Sequence, residues 1–226
     1  AHIVWAPYEE CVARDKQRLK KVGEDVIRKF LYRWQSPNYD EGFKFIDVVY
    51  NCNPGWNRIH YSNCMLDNLK IPHDNPHHTL DIYEHSAAVQ CYIMNKWPES
   101  CVLEEAGSYH DLGKRMTKGY KSDDEGKLIP IAHYYNHQNV GSYLVYGMYA
   151  DTAECKQKAV LCSWLVCNHM EPYFNSKYFN MNFDEPYELG YGKSKEVCDE
   201  KGRETVFAEF FNKLAKVTKS HDKIPI

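Results

Sequence analysis

The sequence predicts a mainly α protein: a helical bundle over residues 70–226, preceded by a small α/β appendage over residues 1–60. Three observations carry this. From Thr79 onward, apolar residues recur at helical spacing in segments near 80–97, 101–111, 133–149, 155–169 and 203–219. Strand-like runs are confined to the first fifty residues. Between the two lies a polar, proline-broken stretch, Lys-Ile-Pro-His-Asp-Asn-Pro-His-His over 70–78, that reads as a linker. A chain of 226 residues suits one domain or a domain with an appendage.

In chain order, Ile3-Val4-Trp5 is a short strand candidate. Glu9 to Lys21 is a charged helix, and Glu24 to Trp34 is a second with an apolar stripe at Val26, Phe30, Leu31 and Trp34. Gly23 separates them, and Ser36-Pro37-Asn38 ends the second, because the residue before proline is pushed out of helical space. Phe43 to Tyr50 is rich in aromatic and β-branched residues and reads as a strand, stopped by Asn51-Cys-Asn-Pro-Gly55. The polar, aromatic segment 171–200 reads as a loop or lid. Within it Gly192-Lys193-Ser194 imitates the end of a phosphate-binding loop, but Tyr187 stands where that motif needs its first glycine.

With 28 Lys and Arg against 31 Asp and Glu, the net charge is −3, which excludes a globally basic nucleic-acid coat and leaves room for a local basic groove. No apolar run approaches the roughly 20 residues of a membrane span, and no charged-then-apolar leader opens the sequence. A cytoplasmic protein without membrane contact is expected. Nine cysteines, an odd number without a Cys-x-x-Cys pair, are expected to be reduced and structural.

Eleven histidines and eighteen tyrosines stand out for this length. His85 shares a helical stripe with Ile82, Val89, Tyr92 and Ile93; His110-Asp111 follows Leu103 and Ala106; His137 heads Val140, Gly141, Leu144 and Met148; His169 follows Trp164 and Leu165. One histidine on an apolar face is ordinarily a hydrogen-bonded core residue. Four buried without partners would cost on the order of 1–3 kcal/mol each. A shared cation satisfies them together, and imidazoles with a carboxylate suit one or two first-row divalent ions: manganese, iron, nickel, cobalt or zinc, with magnesium as a further choice.

The motifs Thr79-Leu-Asp-Ile-Tyr-Glu-His85-Ser, Tyr109-His110-Asp111-Leu-Gly-Lys114, Tyr135-Asn-His137-Gln-Asn-Val-Gly141 and Val166-Cys-Asn-His169-Met170 resemble the successive motifs of HD-domain metal-dependent phosphohydrolases. The wording is closest to the branch that includes the HD domain of bacterial tRNA nucleotidyltransferases. The resemblance implies an all-helical HD bundle with His85, His110 and Asp111 as metal ligands. It implies His137 and His169 as the extra ligands of two-metal members, and Asp222 as the final acid. Asp111 and Lys114 take catalytic roles, with Lys114 and Arg115 facing phosphate. Lys118 extends that patch, while His78 and His133 lie beside the motifs.

The first sixty residues resemble something else. Val4-Trp-Ala-Pro-Tyr-Glu-Glu-Cys11-Val-Ala-Arg14-Asp-Lys-Gln-Arg18 and Pro37-Asn-Tyr-Asp-Glu41-Gly42-Phe43 look like the C-terminal part of a P-loop polynucleotide-kinase-like domain. That likeness makes Arg14 and Arg18 candidate phosphate contacts and a kinase domain a candidate partner. The combined expectation is a phosphomonoesterase acting on a nucleotide or nucleic-acid end, through metal-activated water. Two alternatives share the same ligands: a di-iron oxygenase of the HD type, and a non-catalytic metal- or nucleotide-binding module.

Overall fold

The computed structural model describes residues 1–75, 79–169, 178–179, 194–220 and 224–225. The protein is mainly helical, and its chain divides into two compact units, Ala1–Pro172 and Tyr173–Ile226. The first sixty residues, read from the sequence as a domain of their own, share the first unit with the helices that follow.

The first unit opens with β1 (His2–Trp5), α1 (Tyr8–Gln17) and α2 (Glu24–Tyr32), then β2 (Asp47–Tyr50) and α3 (Arg58–Asp67). β1 and β2 pair in parallel, with Ile3 opposite Val48 and Val4 opposite Val49. Ile3, Trp5 and Val48 turn to the core, while Val4 and Val49 on the other face are 64% and 42% exposed. The strand is shorter than the Phe43–Tyr50 run: only its last four residues find a partner strand. The apolar stripe of α2 is split, with Leu31 buried and Phe30 73% exposed. Helix α3 was not legible, because its interior (Ile-His-Tyr-Ser-Asn-Cys) shows no apolar period; its signal is local, the Asn57 side chain accepting the His60 N–H as an N-cap.

Then come α4 (Ile82–Lys96), α5 (Cys101–Tyr109), the single turn α6 (Lys114–Thr117), the hairpin β3 (Gly119–Ser122) and β4 (Leu128–His133), α7 (His137–Val145), a 3-10 turn at Tyr146–Met148, and α8 (Ala153–Cys167). A capping box starts α4, with Asp81 accepting from the Glu84 N–H and Glu84 from the Asp81 N–H. α5 packs on α4 and α8, and α8 on α7. The β3–β4 hairpin fills the stretch between the helices expected at 101–111 and 133–149, and its last residue, His133, stands where the second was expected to begin; that helix starts at His137 instead. The hairpin turn is built by Asp123, whose carboxylate accepts the N–H groups of Glu125 and Lys127, and by Gly126 at φ 79°.

The tyrosine excess has a structural use. Trp5 is fully buried, its indole N–H donates to the Tyr143 carbonyl, and its ring meets Tyr50, Trp56 and Tyr61 edge-on at 5.6–5.7 Å. Tyr143 donates to Ala6 O, Tyr50 to Tyr146 O and Tyr61 to Leu144 O. Phenols thus satisfy backbone carbonyls while their rings fill the seam between the first sixty residues and α7. Gly147 permits the approach: a Cβ there would lie 2.4 Å from the Tyr61 ring and 2.6 Å from Trp5.

The second unit holds α9 (Lys195–Lys201) and α10 (Arg203–Ser220), with Tyr178–Phe179 and Ile224–Pro225 pairing in parallel as β5 and β6. Much of the 171–200 segment expected to be a loop or lid lies outside the described residues, as do Asp222 and His78. All nine cysteines are free, and no helix among the described residues is long and apolar enough to cross a membrane.

Candidate metal centre

The structure brings His85, His110, Asp111, His137 and His169 together. Helix faces explain only part of the convergence. His85 lies within α4, but His110 and Asp111 follow the end of α5, His137 is the first residue of α7, and His169 lies just beyond α8. Three helix ends and one helix interior therefore meet around one buried carboxylate.

Asp111 is 1% exposed. Its Oδ2 lies 3.3 Å from His110 Nε2 and 3.8 Å from His85 Nε2, and its Oδ1 lies 3.5 Å from His137 Nε2. His110 Nε2 is 3.3 Å from His85 Nε2, and His137 Nε2 is 2.8 Å from His169 Nε2. The donors form two groups that could each hold a metal ion, His85–His110–Asp111 and Asp111–His137–His169, with Asp111 common to both.

Backbone carbonyls fix how two of the rings present themselves. His110 Nδ1 lies 2.7 Å from Gly107 O, and His137 Nδ1 2.7 Å from Tyr134 O. A carbonyl only accepts, so the hydrogen sits on Nδ1 and Nε2 keeps its lone pair toward the centre. Burial pushes the pKa of His137 down, and burial together with the neighbouring His137 and His110 takes His169 down to about 3, so these rings favour the neutral, ligating form. Burial alone would raise the Asp111 pKa; attraction to His110 and His137 when protonated, and to the Lys114 ammonium, outweighs it and holds the carboxyl well below the usual range, and with the rings neutral the ammonium is the charge that remains.

Lys114 completes the centre. Its Nζ lies 2.9 Å from Asp111 Oδ2, out of line for a hydrogen bond, so this buried oxygen has none among the described residues. The ammonium also contacts a residue the sequence reading missed. His73 is 2% exposed, its Nδ1 hydrogen-bonded to Leu80 O at 2.8 Å and its Nε2 3.2 Å from Lys114 Nζ. With its proton held at Nδ1, His73 accepts from Lys114. Polar neighbours in 70–78 hid it, although the chain just before it is tied down, Ile82 N–H bonding Ile71 O and Tyr83 N–H bonding Leu69 O.

Among the described residues, non-glycine backbone at positive φ occurs at Asp74 (50°), Asn136 (61°) and His169 (47°). The first two are chain neighbours of His73 and His137 and the third is itself a donor, so local backbone strain gathers at this centre, as it does at functional sites.

The remaining candidates lie elsewhere or act locally. Arg14 donates to Glu10 and Asn53, and Arg18 stands 4.0 Å from Asp15. Arg115 is exposed on α6. Lys118 is held by Asp74 and the Pro72 carbonyl, and His133 by Gly119 O.

No protein-family profile, curated protein or solved structure matches this chain. What stands is a mainly helical protein with a buried His/Asp cluster able to hold a metal ion. The donor chemistry fits one: the Nε2 lone pairs of His110 and His137 face the carboxylate, and Asp111 Oδ2 is buried without a hydrogen bond.

Proposed function

We propose that this protein is a metal-dependent phosphohydrolase that removes phosphate from a nucleotide or a nucleic-acid end. The observation that supports it most is Asp111, a buried carboxylate shared by two His groups, its Oδ2 facing His85 and His110 and its Oδ1 facing His137. His85, His110 and Asp111 would hold one divalent ion, and Asp111, His137 and His169 a second; Asp222, the acid expected from the motif order, lies outside the described residues. When bound, such ions polarise a phosphoryl oxygen and lower the pKa of water toward neutrality.

The chain's own residues do the rest. Gly107 O and Tyr134 O orient His110 and His137. Lys114 lies inside the cluster, held between His73 and Asp111 and placed to meet a phosphate oxygen with positive charge. In the reaction water adds to phosphorus, the ester P–O bond breaks, and the proton passes to the departing hydroxyl. The first sixty residues support a nucleic-acid setting: a parallel sheet is ordinarily covered on both faces, yet Val4 and Val49 lie open, which fits the closing part of a larger kinase-like α/β domain.

The test is a phosphate-release screen over nucleotides and over 5′- and 3′-phosphorylated oligonucleotides, with each of the six ions. Release by the wild type and its loss in Asp111→Asn is expected. Metal-dependent stabilisation without release from any substrate would overturn the hydrolase reading in favour of a binding module, and a mixed-valence di-iron signal without release in favour of the oxygenase.

A further inference from the structure

Helix α2 carries a second face besides its divided apolar stripe. Asp25, Arg28, Lys29, Tyr32 and Arg33 follow the i, i+3, i+4, i+7, i+8 pattern of one helix side, and with Asn136 they line a concave pocket of about 370 Å³. Arg28 is paired with Glu24 at 3.1 Å. Lys29 and Arg33 are exposed and have no ion pair among the described residues. With Arg28 answered by Glu24, the two cations Lys29 and Arg33 face the single acid Asp25, which leaves this concavity locally basic in a chain of net charge −3.

The groove adjoins the metal centre. Tyr32 donates to Met116 O at 2.9 Å, in the single-turn helix that begins with Lys114. Asn139 donates to Trp34 O at 2.6 Å, tying the end of α2 to the first turn of α7. Asn136, in the pocket wall, immediately precedes His137, and consecutive Cα atoms lie only about 3.8 Å apart. Arg14 and Arg18, the cations that the kinase likeness singled out, are engaged by Glu10 and Asn53 and by Asp15.

We propose that this α2 pocket binds the phosphodiester backbone of a single-stranded nucleic acid whose terminal phosphate enters the His/Asp centre. The inference rests on the phosphohydrolase reading and deepens it: the substrate is a strand, gripped at a phosphate inward of its end, rather than a mononucleotide. Lys29 and Arg33 supply the charge that meets the chain phosphates.

The experiment uses the full chain and a short, fluorescently labelled 5′-phosphorylated single strand, with anisotropy followed from about 50 to 200 mM salt. The exposed pair Lys29→Glu/Arg33→Glu is compared with a charge-matched control in the loop before α2, Lys20→Glu/Lys21→Glu, after thermal melts confirm that both fold. The pocket variant is expected to bind roughly tenfold or more weakly, with a salt slope shallower by about 1.4, the share of two phosphates on a single strand. The control is expected to stay within about twofold of wild type. Equal losses in the two variants, or none in the pocket variant, overturn the inference. Phosphate release from the same strand by wild-type protein is scored separately. Strand binding through α2 without release from this strand or from any other substrate of the phosphate-release screen keeps the pocket and removes the hydrolase reading; release with unchanged binding in the pocket variant does the reverse.

Discussion

Gly113, between the His110-Asp111 pair and Lys114, is the position where one methyl group should do the most damage to the centre. A Cβ there would lie 2.0 Å from His137 O, 2.8 Å from His137 C and 2.7 Å from Gly141 N. Carbon contacts settle near 3.5–4.0 Å. All three obstacles are backbone atoms of α7, so no rotamer change relieves the clash, and α6 and α7 must separate by roughly 1 Å or more. His137 Nε2 is 3.5 Å from Asp111 Oδ1, and metal sites tolerate errors of only about 0.2 Å in ligand distance. The separation would detach the His137–His169 half of the centre from Asp111. Overpacking of this kind costs about 3 kcal/mol, which in a chain of this size lowers Tm by roughly 6–12 °C. Disturbing the support of metal ligands weakens affinity by about 10–100-fold, and the upper end is expected here.

Gly107→Ala is the matched control. Its Cβ would meet Ile93 Cδ1 at 2.5 Å, the end of a flexible side chain that can turn aside. Scanning calorimetry and isothermal titration with cobalt on both variants decide the matter. Gly107→Ala should melt within a few degrees of wild type, at a cost of about 1 kcal/mol, and bind cobalt normally. A Gly113→Ala protein that does the same would refute the claim that α6–α7 contact sets the geometry of the centre.

Two further outcomes test the charge arrangement. A divalent ion supplied at a hundred times its Kd should stabilise the wild type by about 2.7 kcal/mol, or roughly 5–11 °C in Tm; Asp111→Asn should abolish that shift and also lower the metal-free Tm, since it leaves the buried Lys114 without its counter-charge at about 3–5 kcal/mol. A metal-induced shift that survives in Asp111→Asn would count against the shared-carboxylate site. Asp15 accepts the Val22 and Gly23 N–H groups at 3.0 and 2.9 Å, and these bonds lower its pKa. Its contribution is therefore present above the ordinary aspartate value near 3.9 and is lost as pH falls through the lower folded value. Asp15→Asn should lower Tm at pH 7, with the gap to wild type closing as pH falls below the ordinary aspartate value; a gap that is constant with pH would show that the carboxylate charge is not what matters.

What could be read in advance followed periodicity. The helices carrying His85 and Leu103 repeat apolar residues at helical spacing, and the conjunction of inward histidines with Asp111 was visible because burying each alone is costly. His73 was not, because its burial comes from long-range bonds from Ile82 and Tyr83 to the segment before it, and no local pattern encodes those. The β3–β4 hairpin hid in a stretch whose Pro130 argues against a strand; the Asp123 turn was the overlooked sign. For α2, tertiary context overrode the pattern: Phe30 sits on the apolar stripe yet stays exposed, since only the Leu31 side of the helix is covered.

The position of α7 ties these pieces into one argument about why the first sixty residues belong to the site. Its first residue, His137, is a donor of the centre, and Gly141 on its next turn faces Gly113. On its other contacts, Tyr143 bonds Ala6 and accepts Trp5, while Asn139 holds the end of α2. A helix of nine residues is too short to hold its place by intrinsic propensity, so its position depends on packing. Part of that packing comes from β1 and α2. The aromatic seam around Trp5 and the chemistry around Asp111 are thus two ends of one support, and a substitution that loosens Trp5 acts on His137 without touching it.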